Sequence, residues 1–232
     1  MSAKSLNVAL MRKAIIKNLV LYVISAVLFF LFSGRVDVFR GWIYYLLVFS
    51  GAIINTLILV VRNPDVLMSR AKDGKNTQSW DKAILGGYFL LQVLIIPCLS
   101  GLDVRYGWTF LPTYYMIIGV LIYLFSLFVI TRAMLVNRHF EGTIRIQEDR
   151  DHSVIDKGPY RYIRHPGNLG MVLSVFALPI IVGTTWALIP AFLAAFLTVV
   201  RTAKEDDFLK SSLEGYHQYT ERVKYRLIPF VW

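Results

Sequence analysis

Cysteine is nearly absent from this chain of 232 residues: the single Cys98 lies in an apolar run beside Pro97. One cysteine excludes an intrachain disulfide and a thiolate-rich metal site. The sequence also lacks a spacing of histidine, cysteine and aspartate typical of metal ligands, a glycine-rich turn after a strand, and a GxxxxGK[ST] phosphate loop. We therefore predict neither a metal centre nor a soluble nucleotide-binding domain.

Charged residues are scarce at 17%, whereas hydrophobic residues make up 56% of the chain and the mean hydropathy is +0.54. Several apolar runs approach the roughly 20 residues that cross a bilayer. They occupy 18–33, 41–61, 83–102, 111–131, 168–183 and 185–200. The sequence therefore predicts an all-α integral membrane protein with about six transmembrane helices. No small-residue cleavage site follows the first run, so we expect a retained helix there, and the last two runs are expected to form a tight hairpin.

The distribution of lysine and arginine predicts the orientation. With six spans, both termini and the connections 62–82 and 132–166 share one side, which carries 22 of the 25 basic residues. Only Arg35, Arg40 and Arg105 lie on the other side. Cytoplasmic flanks accumulate basic residues, so both termini are predicted to be cytoplasmic, in the inner membrane if the chain is bacterial. Contact with anionic headgroups accounts for the formal charge of +10, and no nucleic-acid partner is predicted.

No internal repeat or linker divides the chain, which predicts a single membrane domain over 1–232. Within it, 1–131 form an N-terminal four-helix region of spans and short loops. The remainder, 132–232, holds a long polar connection, the predicted hairpin and a polar carboxyl-terminal tail. Because polar residues gather in this second part, we expect the chemistry there. The sequence does not indicate an oligomeric state.

Residues 158–166, with the sequence GPYRYIRHP, form a basic segment between two apolar ones. Pro166 disfavours helical backbone at His165 and suits the first position of a helix, so we predict that a helix begins near Pro166. Its free N–H groups and positive dipole end would lie beside His165, Arg161 and Arg164, an arrangement suited to binding an anion. The same segment is equally consistent with an interfacial anchor that contacts lipid headgroups.

Residues 201–209, RTAKEDDFL, follow the sixth apolar run. If the helix continues, Arg201 and Glu205 share one face, while Asp206 points about 100° away. An arginine and a glutamate four residues apart form at least an ion pair on the helix, worth a few tenths of a kcal/mol. Three consecutive acidic residues directly after an apolar span also suggest a cationic ligand. Both interpretations stay open from this pattern alone.

Together, these segments resemble the isoprenylcysteine carboxyl methyltransferase family and its phospholipid methyltransferase relatives. The resemblance is carried by the GPYRYIRHP segment with Gly170, Arg201 with Glu205-Asp206 and Leu209, Gly215-Tyr216 with Tyr219, and the closing 222–230, RVKYRLIPF. That ending is similar to the ending of many bacterial members. The similarity is detailed over 137–232 and extends to the first four spans only in their number and character.

The resemblance implies an S-adenosylmethionine-dependent methyltransferase whose cofactor pocket lies at the cytoplasmic boundary and is formed by the C-terminal half. Matched position by position, the implied cofactor-binding residues are Gln147, His152, Ser153, Val154, Ile155, Tyr160, His165, Pro166, Gly167, Asn168 and Glu205. Arg201 matches an arginine associated with the acceptor, so Arg201 and Glu205 are the implied catalytic residues. The chain departs from the family at Asn168, where many relatives have tyrosine, and at Asp206, where they have glutamate.

The implied partner is a lipid or isoprenoid-type acceptor from the bilayer, with a prenylcysteine-like carboxylate as the expected form. Related proteins also methylate lipid amines and small thiols, so the acceptor group stays open. An ionised carboxylate needs no general base, whereas an amine or a thiol would need one. Glu205, Asp206 and His165 are the candidates for such a base.

Two alternative functions belong to other classes of membrane protein. NAD(P)H-dependent membrane sterol or isoprenoid reductases also carry an Arg-His-Pro stretch, and Asn168 and Gly170 lean towards that pattern, but those enzymes have more spans. A non-enzymatic transporter or small membrane protein would be expected to place ionisable residues inside its spans, and the six apolar runs contain none. Methyl transfer is therefore the predicted function.

Overall fold

A computed structural model describes residues 3–71 and 77–232, so residues 72–76 of the predicted connection 62–82 lie outside the described part. The α-helices are α1 (Ala3–Ser33), α2 (Phe39–Arg62), α3 (Pro64–Ala71), α4 (Ser79–Phe89), α5 (Ile96–Tyr106), α6 (Thr113–Val136), α7 (Pro166–Val182), α8 (Leu188–Ser212) and α9 (Tyr216–Arg222). Throughout the described residues every regular element is helical. The predicted all-α class is confirmed for them.

Three helical stretches in the described part are long and apolar enough to cross a membrane: α2, the continuous helix Ser79–Tyr106, and α6. The apolar part of α1, Leu19–Ser33, and α7 are shorter, and α8 combines an apolar first part with a charged second part. Every predicted apolar run thus lies largely on a helix, and the protein is a membrane all-α protein. The count of six spans and the cytoplasmic termini stay predictions.

The helix Ser79–Tyr106 changes its winding in the middle. Leu90–Ile95 are π-helical, and this stretch ends two residues before Pro97. Proline has no N–H to donate to the carbonyl group four residues earlier, here that of Val93. A wider π turn at this point accommodates the missing hydrogen bond without ending the helix.

At one end of the bundle, short connections are joined by polar contacts. Arg40 Nη1 donates to the Leu111 carbonyl oxygen at 2.8 Å, and the buried Asp103 accepts hydrogen bonds from the backbone N–H and the hydroxyl of Thr109 at 2.8 and 2.7 Å. Helix α7 ends at Val182 and is followed by Gly183, whose φ of +92° favours glycine. Only a short turn then precedes α8, which confirms the predicted hairpin.

Helices α6 and α7 pack closely, and this contact positions the start of α7. A Cβ at Gly119 of α6 would lie 2.8 Å from the backbone nitrogen of Ile181 in α7. Further along, the Ser126 hydroxyl donates to the Gly170 carbonyl oxygen at 2.8 Å. The end of α6 and the beginning of α7 therefore lie side by side, and the long connection 137–165 joins them in sequence.

The connection 137–165 is irregular apart from short 3₁₀ turns at Glu148–Arg150 and Gly158–Arg161. Its middle contacts the start of α4, because the Ile144 N–H donates to Asp81 Oδ2 at 2.8 Å. Its end pairs with the tail: the backbone N–H groups of Arg164 and His165 donate to the carbonyl oxygens of residues 225 and 226 at 2.9 Å. Several segments thus meet at the end of the bundle where α7 begins: the connection, the starts of α4 and α7, the end of α8 and the tail.

Candidate functional site

Helix α7 begins at Pro166 with His165 as its N-cap, as the sequence predicts. However, the side chains before it do not leave an open anion site. Arg164 makes a two-pronged contact with Asp206 of α8, with Nε to Oδ1 at 2.7 Å and Nη2 to Oδ2 at 2.8 Å. His165 Nε2 lies 3.1 Å from the same Oδ1. A carboxylate of the chain itself therefore pairs with Arg164, one of the two arginines beside which an external anion was expected.

Asp206 is fully buried and forms the centre of a polar network that the sequence did not predict. Besides Arg164 and His165, Arg226 Nε and Lys210 Nζ contact Oδ2 at 2.9 Å, and the Tyr216 hydroxyl donates to Oδ1 at 3.0 Å. Burial alone would raise the pKa of Asp206, but the hydrogen bonds from His165 and Arg164 outweigh it and hold this pKa far below its ordinary value. This carboxylate joins the start of α7, the end of α8 and the tail.

A second network surrounds Arg201, which is 5% exposed. Its Nη1 donates to Asn168 Oδ1 at 2.7 Å and lies 3.4 Å from Glu205 Oε2. Asn168 in turn donates to the same Oε2 through Nδ2 at 2.7 Å. The predicted contact of Arg201 with Glu205 is therefore present but long, and Asn168 bridges the two. Among the described residues, no hydrogen bond reaches the other oxygen, Glu205 Oε1.

The nearest carboxylate to Arg201 is Asp81, in the first turn of α4. Asp81 Oδ1 accepts from Arg201 Nε at 2.8 Å, and Oδ2 accepts from the Ile144 N–H. Asp81 is fully buried, and sequence reasoning missed it. The sequence offered one signal: Asp81 is an acidic residue just before the apolar run 83–102, on the side of the membrane predicted for Arg201.

One cavity, of about 120 Å³, lies among the connection 137–165, the start of α7 and the end of α8. Of the residues implied by the resemblance, the cavity is lined by Gln147, His152, Ser153, Val154, Ile155, Tyr160, His165, Gly167, Asn168, Arg201 and Glu205. Pro166 is buried in the first turn of α7 and does not line it. The lining also includes His139, Phe140 and Glu141, which were not singled out from the sequence, and Leu209, Tyr216 and Tyr219, which were noted only as part of the resemblance. Ligand pockets commonly measure roughly 300 Å³ or more, so a nucleoside-sized ligand requires movement of these walls.

Two imidazoles form part of the lining, with the ring centres of His139 and His152 4.6 Å apart. Burial, followed by the nearby His139 and Arg145, lowers the pKa of His152 to about 4. Burial and the charge of Arg138 also lower the pKa of His139. Both rings are therefore uncharged near neutral pH. His139 Nε2 accepts from Arg138 Nε at 3.0 Å, whereas the buried Nδ1 has no hydrogen-bond partner among the described residues.

Tyr160 forms a fixed wall of the cavity. It lies in the 3₁₀ turn that begins at Gly158, whose φ is +56°. Its hydroxyl accepts from Asn137 Nδ2 at 3.0 Å, and its carbonyl oxygen accepts from the Tyr219 hydroxyl at 2.7 Å. Both ends of the residue are thus held, by the end of α6 and by α9.

Residues 117–211 match the model of the isoprenylcysteine carboxyl methyltransferase (ICMT) family. The matched segment covers less than half of the chain and extends from α6 almost to the end of α8. It includes all residues that the resemblance implied for the site, and it excludes Asp81 and the carboxyl-terminal tail. A search of curated proteins found no match. The match supports the predicted family assignment, and at the level of the family it indicates a membrane methyltransferase.

Proposed function

We propose that this protein transfers a methyl group from S-adenosylmethionine to a lipophilic acceptor in the membrane. The observation that carries the proposal is the convergence on one cavity of residues separated by up to 58 positions, from Gln147 to Glu205. In that cavity Glu205 keeps one carboxylate oxygen, Oε1, that has no hydrogen-bond partner among the described residues. The match to a methyltransferase family supports the same conclusion.

The groups that line the cavity fit the cofactor. S-adenosylmethionine carries an ammonium, a sulfonium, a carboxylate and an adenine. Glu205 Oε1 suits the ammonium, because a carboxylate forms charge-assisted hydrogen bonds with it. The unpartnered His139 Nδ1 carries the ring proton when Nε2 accepts from Arg138, so it is a buried donor that a polar ligand atom can satisfy. Val154, Ile155 and Tyr160 offer apolar surface for the adenine.

The charges of the site also favour a cationic ligand. Arg201 makes its shorter ion pair with Asp81, at 2.8 Å against 3.4 Å to Glu205, and the two imidazoles are uncharged, so these groups neutralise Glu205 only in part. His165 Nδ1 lies 3.6 Å from Glu205 Oε2, beyond hydrogen-bonding distance. The 22% exposed Glu205 side chain therefore presents negative charge to the cavity.

The cofactor supplies an electrophilic methyl group, and the task of the protein is mainly to align the acceptor with it. Arg201 has a narrower role here than the sequence suggested. Its Nε donates to Asp81, its Nη1 to Asn168 and its Nη2 to the Gly142 carbonyl oxygen at 3.3 Å. Because a guanidinium has five N–H donors, we propose that the remaining Nη2 hydrogen contacts a carboxylate acceptor. Such an acceptor requires no general base.

Transfer of label tests the function. Membranes that contain the protein are incubated with S-adenosylmethionine carrying a labelled methyl group, and the lipid fraction is treated with base. Label that base releases indicates an ester, as expected for a carboxylate acceptor, whereas base-stable label indicates an amine or thiol. The control is Glu205→Gln, which is expected to transfer at least tenfold less. Equal label in the lipids of wild-type and Glu205→Gln membranes would refute the proposed function.

The role of Arg201 is tested with a carboxylate acceptor by comparing Arg201→Lys and Arg201→Ala. Lysine retains the charge but loses the planar fork, so we expect a reduced rate, and alanine should reduce it further. Wild-type rates in both variants would exclude the contact.

The cavity does not favour a nicotinamide cofactor. NADPH carries several phosphate charges, whereas Glu205 presents to this cavity a carboxylate oxygen, Oε1, that accepts no hydrogen bond from the described residues. Arg164, which was expected beside an anion, forms its ion pair with Asp206 instead, and His165 Nε2 lies 3.1 Å from the same carboxylate. Binding of NADPH to the solubilised protein, without binding of S-adenosylhomocysteine, would reverse this assignment.

A further inference from the structure

Asp81 contacts Arg201 from outside both the cavity and the segment that matches the family. We propose that Asp81 is a positioning residue, which holds the guanidinium of Arg201 away from Glu205 and so keeps the Glu205 carboxylate available to the cation of the cofactor. This inference rests on the proposed function. It assigns to the N-terminal region a part in cofactor binding.

The geometry shows how one guanidinium is shared between two carboxylates. Arg201 Nε lies 2.8 Å from Asp81 Oδ1, whereas Nη1 lies 3.4 Å from Glu205 Oε2. Asp81 is fully buried and has both oxygens hydrogen-bonded, so its position is fixed. The stronger contact of Arg201 is therefore made with the carboxylate that does not line the cavity.

Removal of the Asp81 charge would change how the Arg201 guanidinium is shared between Asp81 and Glu205. A guanidinium that is 5% exposed needs a counterion. Glu205 is the other carboxylate that Arg201 contacts among the described residues, at the i+4 position of the same helix. Arg201 is then expected to pair more closely with Glu205. A cationic ligand would have to compete with an internal cation for that carboxylate.

Asp81 also fixes the connection that carries part of the site, because it accepts the Ile144 N–H. Asparagine at position 81 has almost the same shape and keeps an oxygen for this hydrogen bond, while its charge is lost. Asp81→Asn therefore tests the charge with little change in packing. Asp103→Asn is the matched control, since Asp103 is equally buried and accepts two hydrogen bonds from Thr109.

The test measures binding of S-adenosylhomocysteine, which retains the ammonium, to the detergent-solubilised full chain by calorimetry. Asp81→Asn is expected to raise the Kd about tenfold, and Asp103→Asn is expected to leave it within about twofold of wild type. In a Glu205→Gln background, Asp81→Asn should change the Kd by less than about twofold, because the carboxylate it protects is absent. Effects of Asp81→Asn and Glu205→Gln that multiply independently would overturn the proposal.

A compensating variant separates positioning from a merely structural role. In Asp81→Asn/Arg201→Gln both charges are removed, and no guanidinium competes for Glu205. We expect its Kd to return to within about threefold of wild type, although methyl transfer stays impaired by the loss of Arg201. This double variant also decides the matter if Asp81→Asn alone does not fold. A folded double variant whose Kd is raised tenfold or more would overturn the inference.

Failure of the inference and failure of the function can be told apart. Wild-type protein that does not bind S-adenosylhomocysteine refutes the proposed function, and with it the inference. Wild-type protein that binds it, alongside Asp81→Asn that binds it within twofold as tightly, refutes only the role of Asp81.

Discussion

Replacement of Asp206 by asparagine is expected to destabilise the protein strongly. Asp206 is fully buried, and its two oxygens contact Arg164, Arg226 and Lys210 within 2.9 Å. Asparagine keeps one acceptor oxygen but no charge, so the Arg164 side chain, 5% exposed, loses its buried counterion. Removal of one partner from a buried ion pair costs about 3–5 kcal/mol.

The neighbouring residue provides a matched control. The Asp207 side chain is 71% exposed and contacts Lys210 and Arg226 only at 4.0 and 3.7 Å. Exposed pairs contribute about 0–1 kcal/mol, so Asp207→Asn should be nearly neutral. The same change of charge at adjacent positions is thus expected to have very different consequences.

Thermal unfolding of detergent-solubilised protein, followed by tryptophan fluorescence, measures the difference. At about 2–4 °C per kcal/mol for a chain of this size, Asp206→Asn should lower the Tm by roughly 6–20 °C relative to Asp207→Asn. Tm values of the two variants within about 2 °C of each other would refute the central role of Asp206 in joining α7, α8 and the tail.

Three further predictions concern packing, pH and the cavity walls. Gly119→Ala should lower the Tm, because its Cβ would approach the α7 backbone, whereas Gly86→Ala, where the Cβ would have no neighbour within 4 Å, should leave it unchanged or raise it; equal effects would contradict the close packing of α6 and α7. Below pH 6.5 the unfolded chain protonates histidine, while folded His152 does so only near pH 4, so the Tm should fall as the pH is lowered through this window. His152→Gln should weaken that dependence, and an unchanged slope would count against the buried neutral ring. S-adenosylhomocysteine should slow amide hydrogen exchange within 137–165, and protection confined to other segments would place the ligand elsewhere.

Local signals in the sequence were sufficient for much of the helical framework. The apolar runs predicted the long helices, and the backbone restriction at His165-Pro166 predicted the start of α7. The polar residues between two apolar runs also indicated a long connection after α6, which the structure shows. Each of these features depends on neighbouring residues or on a simple periodicity, so no knowledge of distant contacts was required.

The partners of the charged residues were not predictable in the same way. Asp81 and Arg201 are separated by 120 positions, and Arg164 and Asp206 by 42. The helix geometry correctly separated Asp206 from Glu205, but it did not show what Asp206 faces. The tail and the start of α7 supply that answer, and their arrangement follows from tertiary packing.

The same distant contacts changed the interpretation of two predicted site residues. His165 caps α7 as expected but faces Asp206, and Arg201 donates most of its hydrogens within the protein. A pattern identifies such residues as unusual, yet only their partners show how much of each side chain is available to a ligand. Glu205 Oε1 accepts no hydrogen bond from the described residues, so Glu205 can still bind a ligand as proposed.

Calorimetric binding of S-adenosylhomocysteine to the solubilised protein tests the central claim most directly. The wild-type chain is expected to bind, Glu205→Gln to bind at least tenfold more weakly, and Glu214→Gln, at an exposed position, to bind like the wild type. An absence of binding to the wild-type chain, or equal affinity of wild type and Glu205→Gln, would contradict the account.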